Sequence, residues 1–249
     1  MIATIRSEWI KLRTVRSNVT TAVVAVLIPL AISLLSVTFM GEGNIDSGTL
    51  PGFIVGTGSV AVLLIGVIGV LCVTQEYSQG TIRLTLAATP SRPRVYLAKG
   101  VVATLLGAAL TGLIVVIGKV VGSAIIDARD VPPLDSNRDA APAFLAMVLM
   151  GALVALLGMA IGTLTRNPPS AITTLVLWPL LVEGIVGGLL SLAFDDNVAR
   201  WMPFQSGLNS MFLEVPDDGF GRWGSLGYFA CWVLLVTLIA ERSLKRRDA

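Results

Sequence analysis

Residues 53–74 read FIVGTGSVAVLLIGVIGVLCVT, an unbroken run without Asp, Glu, Lys or Arg. A helix over such a run rises 1.5 Å per residue and is therefore about 33 Å long, enough to cross a hydrocarbon layer of roughly 30 Å. The run has no period-two alternation, which a barrel strand needs, so a helix is the structure that satisfies its backbone inside the segment. Working outward, similar nearly uncharged stretches lie at about 19–40, 97–126, 143–165, 170–194 and 223–240. The whole chain of 249 residues is 54% hydrophobic and 14% charged, against about a quarter charged in soluble domains. The expected fold class is all-α integral membrane, one transmembrane domain over 1–249 with six transmembrane helices.

Charge orients these spans. Arg6, Lys11, Arg13 and Arg16 precede the first; Arg83, Arg92, Arg94 and Lys99 lie between the second and third; Arg166 follows the fourth; Arg242, Lys245, Arg246 and Arg247 follow the last. The alternate gaps hold only Arg129, Arg138, Arg200 and Arg222, so the count is thirteen against four. Lys and Arg near span ends stay on the cytoplasmic side. Both termini and the 75–99 loop are therefore expected in the cytoplasm. Basic clusters that flank membrane spans meet anionic lipid or a cytoplasmic protein, and no nucleic-acid surface is implied. The uncharged run from Ser17 to Gly41 is too long for the core of a signal peptide and reads as a retained anchor.

Composition removes several chemistries. The chain has no histidine, which excludes His-based triads, His-ligated metals and most general-base schemes. Cys72 and Cys231 stand inside apolar spans at no motif spacing and read as small apolar side chains, with no metal site implied. No GxxxxGK[ST] loop occurs, so energy from ATP has to come through another polypeptide.

Local patterns add detail. Residues 2–13 place Ile2, Ile5, Trp9 and Leu12 on one helical face, the pattern of an N-terminal amphipathic helix at the membrane interface or of a helix that simply leads into the first span. In the loop beginning Gln75-Glu76-Tyr77-Ser78-Gln79-Gly80-Thr81, Gly80 is suited to end one helix in a left-handed conformation and Thr81 to cap the next. Pro90 stops that helix, giving a short element of about 82–89. Pro93 fits the first turn of the third span with Ser91 as its cap. Between 195 and 222, Trp201, Met202, Phe204, Leu208, Met211 and Phe212 are too many large apolar groups for a solvated loop and predict short helices dipping back toward the bilayer or packed over the bundle. The 127–142 gap, with Pro132-Pro133, reads as an exposed loop. Gly118/Gly122, Gly158/Gly162 and Gly184/Gly188 have the spacing that lets helices approach closely, within or between subunits. Glu183 near mid-depth of the fifth span and Lys119 in the third are the intramembrane ionisable groups. Each has a structural reading, a hydrogen-bonded Glu and a snorkelling Lys, beside a functional one, including a Lys119–Glu183 ion pair.

The opening Ser7-Glu8-Trp9-Ile10-Lys11-Leu12-Arg13-Thr14, the six spans, and above all Glu76-Tyr77-Ser78-Gln79-Gly80-Thr81 followed by Thr89-Pro90-Ser91-Arg92 and Tyr96-Leu97-Ala98-Lys99-Gly100 resemble the permease subunits of the type-2 ABC transporter family. The sharp motif covers about 25 residues; the layout covers most of the chain. The resemblance implies an N-terminal connecting helix at residues 2–13, a short cytoplasmic coupling helix after Glu76, and a helical re-entrant insertion at 201–213 on the external side before the last span. It also implies a separate P-loop ATPase, in two copies, carrying ATP and Mg, so that this chain holds no cofactor and is not itself an enzyme. A second permease copy would complete the translocation path of a bacterial plasma-membrane exporter. On this resemblance Glu76, Tyr77, Gly80, Thr81, Arg83 and Arg92 are the coupling residues, Glu183 and Lys119 candidate pathway groups, and Gly184 and Gly188 candidate dimer-packing positions. The rival readings are a non-transporting membrane anchor or sensory subunit that holds a cytoplasmic protein, and a proton-coupled secondary transporter using Glu183. Drugs, antimicrobial peptides and lipids all remain open as substrate.

Overall fold

The computed structural model describes residues 1–41, 43, 45–89, 91–129, 139–194, 198–215 and 220–246. The Pro132-Pro133 loop and Pro90, expected to stop a helix, lie outside the described residues. Helix α1 (Ile2–Thr14) leads into α2 (Arg16–Phe39), followed by α3 (Thr49–Ser78), the short α4 (Ile82–Ala88), α5 (Arg92–Asp127) and α6 (Ala141–Thr165). The next crossing is composite: α7 (Pro168–Leu177), a π-helical turn (Trp178–Glu183) and α8 (Gly184–Phe194). A 3₁₀ turn (Val198–Trp201) and α9 (Pro203–Asn209) precede the last long helix, α10 (Gly221–Arg246). Six of these segments are long and apolar enough to cross a membrane, with no strand among the described residues.

Helices α3 and α6 form the centre because glycines remove the side chains between them. A Cβ on Gly69 would strike the Ala155 carbonyl, and one on Gly158 the Gly66 carbonyl. Gly162 stands over the Val70 carbonyl, while Gly118 and Gly122 of α5 receive Ile54 and Leu50 of α3. Close backbone approach compensates for the weak drive to associate among apolar helices in lipid. Two of the three glycine pairs are thus used within the chain. Gly184 and Gly188 meet nothing within 4 Å and lie exposed on α8. Their crossing is the peripheral one: 17% of its most apolar window is buried, against 61% for α6.

Pro179 explains the composite crossing. Proline has no N–H and its ring clashes with the carbonyl four residues earlier, and a wider π turn relieves that clash. In a π turn, positions five apart share a face, so the Trp178 indole donates to Glu183 Oε1 at 3.1 Å.

The ends of the bundle are tied by side chains. At one, here the basal end, Arg92 Nη1 donates to the Leu244 carbonyl and Tyr96 Oη to the Thr237 carbonyl, so the start of α5 holds the end of α10. At the distal end Arg129 donates to the carbonyls of Val37 in the last turn of α2 and of Met40 just after it, and Arg222 to those of Ser210 and Leu213 beyond α9. Guanidinium groups satisfy helix-terminal carbonyls that lack intrahelical partners.

Several boundaries differ from the sequence expectation. Helix α3 runs past 74 to Ser78 and ends where Gly80 takes φ +69°, so Glu76 belongs to a helix rather than to a loop. Thr81 and Ser91 occupy the N-cap positions of α4 and α5, but neither side chain makes a capping bond. On α1 the apolar stripe divides: Leu12 is buried and Ile5 half-buried, while Ile2 and Trp9 are exposed. Cys72 is buried as expected, whereas Cys231 lies exposed on α10; both are free thiols.

Candidate functional site

At the basal end four charged side chains from three helices interlock. Ile5, Glu8 and Leu12 recur at the three- and four-residue spacing of one helical face, and that face of α1 meets α3 and α5, where Leu12 packs with Ile68, Cys72 and Val102. The same face carries Glu8 into the protein. Glu8 Oε2 pairs with Lys99 Nζ of α5, and Glu8 Oε1 with Lys11 Nζ one turn on at 2.7 Å. Both ammonium groups also reach Glu76 Oε1 of α3, each at 2.8 Å. Two carboxylates and two ammonium groups thus alternate, and the formal charge within the cluster cancels.

Burial differs sharply among them. The side chains of Glu8 and Lys99 are 2% and 4% exposed and that of Glu76 10%, while Lys11 is 40% exposed. A charge removed from water is tolerated only when paired and hydrogen-bonded. Lys99 meets this condition in full, since its three donors go to Glu8, Glu76 and the Cys72 carbonyl. Lys11, at the rim, donates onward to Thr85 Oγ1 of α4 at 3.2 Å. The cluster therefore joins α1, α3 and α5 and, through Lys11, the short α4. Glu76 Oε2 is buried with no hydrogen-bond partner among the described residues. A cavity of about 300 Å³ lies beside the cluster, lined by Lys11, Asn18, Gln75, Glu76, Thr81 and Thr85 among others. Gln75 Nε2 bridges to Ser17 and Asn18, extending the polar contact to the start of α2.

Glu76 was expected in a loop; it is instead a buried member of this cluster, on the last turns of α3. Gly80 makes the turn into α4, and Thr81 begins α4 and lines the cavity. Arg83 points outward on α4 with Leu84, which is 72% exposed, and with Ala87, while Ile82 is buried beneath. Tyr77 and Arg92 stand apart from the four charges. The Arg166 guanidinium lies 5.1 Å from the centroid of the Tyr77 ring, and Arg92 holds α10. Sequence reasoning passed over Glu8, Lys11 and Lys99 as site residues. The signal for Glu8 was its spacing from Ile5 and Leu12, which marks an inward face; Lys99 gave only a charge between Tyr96 and Val102, positions on its own buried face.

The two intramembrane candidates do not meet. Lys119 is exposed and stands 5.4 Å from the centroid of the Phe144 ring. Glu183 accepts from Trp178 Nε1 and from the backbone N–H groups of Phe204 at 3.0 Å and Gln205 at 2.9 Å. Those two N–H groups belong to the first turn of α9, whose N-cap Met202 has no polar side chain to serve them. Glu183 thus supplies the missing cap from another helix, and its negative charge suits a helix N-terminus.

A helical bundle with six membrane-length crossings, a glycine-mediated centre and a short α4 at its basal end defines a multi-pass membrane protein. The sequence matches the family described as ABC-2 family transporter protein over residues 13–240, and the chain belongs to that family. It is thereby the membrane component of an ABC transporter, a part that is not itself catalytic. No curated protein matches the chain.

Proposed function

We propose that this chain is the permease of an ATP-driven exporter in a bacterial plasma membrane, working as a dimer with two copies of a separate ATPase that bears ATP and Mg. The basal end, with both termini, faces the cytoplasm in this reading, supported by the Lys and Arg asymmetry. The observation that carries it is α4. This helix turns Arg83, Leu84 and Ala87 outward where a soluble partner can reach them, and its inner side is bonded through Thr85 and Lys11 to the charge cluster. A push on α4 is thereby passed to α1, α3 and α5 together, because separating any one of them strands a buried charge. Glu76 and Gly80 act as transmitters: one anchors α3 to the cluster, the other sets the angle at which α4 leaves it. The second copy packs on α8, the later half of the peripheral fifth crossing, where Gly184 and Gly188 are open and the surrounding side chains are apolar.

The test is Leu84→Asp, which alters an exposed contact and no buried one. The chain should insert and retain its thermal stability, while copurification of the ATPase and substrate-stimulated ATP hydrolysis are lost. Undiminished association and transport in this variant would remove α4 from the coupling path.

A further inference from the structure

The wall between α6, α7, α10 and the segment before α9 encloses a second cavity, of about 450 Å³. It is lined by Leu157, Leu175, Trp178, Trp201, Phe204 and Trp232 among others. Trp178 and Glu183 lie near the midpoint of the fifth crossing and Trp232 near that of α10, so the cavity sits at hydrocarbon depth. Its rim is on the outside of the bundle, since Trp178, Trp201 and Trp232 are each about half exposed. The Trp201–Phe204 stretch roofs it, held there by Glu183 and by Tyr228 Oη, which donates to the Trp201 carbonyl at 2.8 Å.

We infer that this cavity is a binding site for one acyl chain of a bilayer phospholipid. The walls are aliphatic and aromatic, and the polar side chains upon them are already engaged: Glu183 accepts three hydrogen bonds and Thr174 donates to the Ser170 carbonyl. Water needs two to four polar partners to be held in such a space, and an apolar cavity without them takes up apolar molecules. A void of this size also lies in the range of ordinary ligand sites and forfeits dispersion contacts when empty. An opening on the flank at hydrocarbon depth faces phospholipid chains as the abundant molecule of that chemistry. The roof, tied by these hydrogen bonds, covers a side that a surface groove between helices leaves open, so the chain is retained rather than exchanged with the surrounding lipid. This inference is independent of coupling to an ATPase.

Native mass spectrometry of the full chain, extracted from its membrane in mild detergent, tests it. One adduct of phospholipid mass per chain is expected. Thr174→Phe and Val236→Phe, which fill the cavity from two different walls, should lose the adduct, and Leu189→Phe on the exposed face of α8 should keep it. In nanodiscs containing a phosphatidylcholine with a dibrominated acyl chain, a Trp9→Phe/Trp223→Phe chain should show quenching of its three remaining indoles that Thr174→Phe lowers in part, since the half-exposed rim stays open to bulk lipid; equal quenching in the two chains would overturn the inference. No adduct in the wild-type chain, an adduct of free fatty-acid mass, or retention in both filled variants would overturn the inference. Indoles left unquenched because a second copy covers the cavity would overturn it as well.

Discussion

Replacing Lys99 by Met tests whether burial of the charge cluster holds the basal end together. The substitution keeps an unbranched apolar stem and deletes the ammonium that serves Glu8, Glu76 and the Cys72 carbonyl. Two buried carboxylates then share the half-exposed Lys11. Breaking a buried pair from one side costs about 3–5 kcal/mol. At about 1.4 kcal/mol per decade this favours release of α1 by about two to three and a half orders of magnitude. Lys11→Met removes a charge that contacts the same two carboxylates, but Lys11 is 40% exposed, so solvent screening limits its loss to about 1 kcal/mol or less. Leu12→Cys, in a chain with Cys72→Ala and Cys231→Ser, reports α1 release through the rate of maleimide labelling, because Leu12 is buried against α3 and α5. Labelling should accelerate by about two to three and a half decades in Lys99→Met and by less than about tenfold in Lys11→Met. Glu8→Gln combined with Lys99→Met restores charge balance and should recover part of the loss. Equal acceleration by the two lysine variants, or strict additivity of the Glu8 and Lys99 changes, would refute the assignment of the effect to burial.

Glu183→Ala strands two N–H groups of α9 and the Trp178 indole, at a cost of about 1–3 kcal/mol; faster amide exchange confined to residues 203–209 is the expected signature, with Glu183→Gln milder. Gly158→Ala drives a methyl into the Gly66 carbonyl and should lower thermal stability by about 1–3 kcal/mol, whereas Gly184→Ala, with open space around it, should leave the monomer fold unchanged; equal melting shifts would contradict the packing described for α3 and α6. Gly80→Val strains a backbone at φ +69° with no steric neighbour, so it should cost about 1–2 kcal/mol and Gly80→Asn less, read as loss of ATPase copurification in the same order. In intact cells an impermeant thiol reagent should label Ser47→Cys and spare Ser243→Cys; the reverse pattern would invert the proposed topology.

What the sequence determined by itself was the solvent. Uncharged runs of membrane-spanning length, placed between charged gaps, admit one kind of backbone, and six such runs define an all-helical bundle whatever its packing. The turn at Gly80 and the start of the short helix after it were legible for the same local reason: a left-handed residue acts on its immediate neighbours. Contacts between distant residues were not legible, because local pattern carries no information about which faces meet. Glu8, Glu76 and Lys99 read separately as surface charges near span ends, and only the docking of α1 across α3 and α5 turns them into a buried cluster. Glu183 read as a costly carboxylate in search of a use, and only the descent of α9 beside the π turn supplies its three donors. The glycine pairs looked alike in sequence; tertiary packing spends Gly118/Gly122 and Gly158/Gly162 inside the chain and leaves Gly184/Gly188 open, since close approach depends on which helix lies opposite.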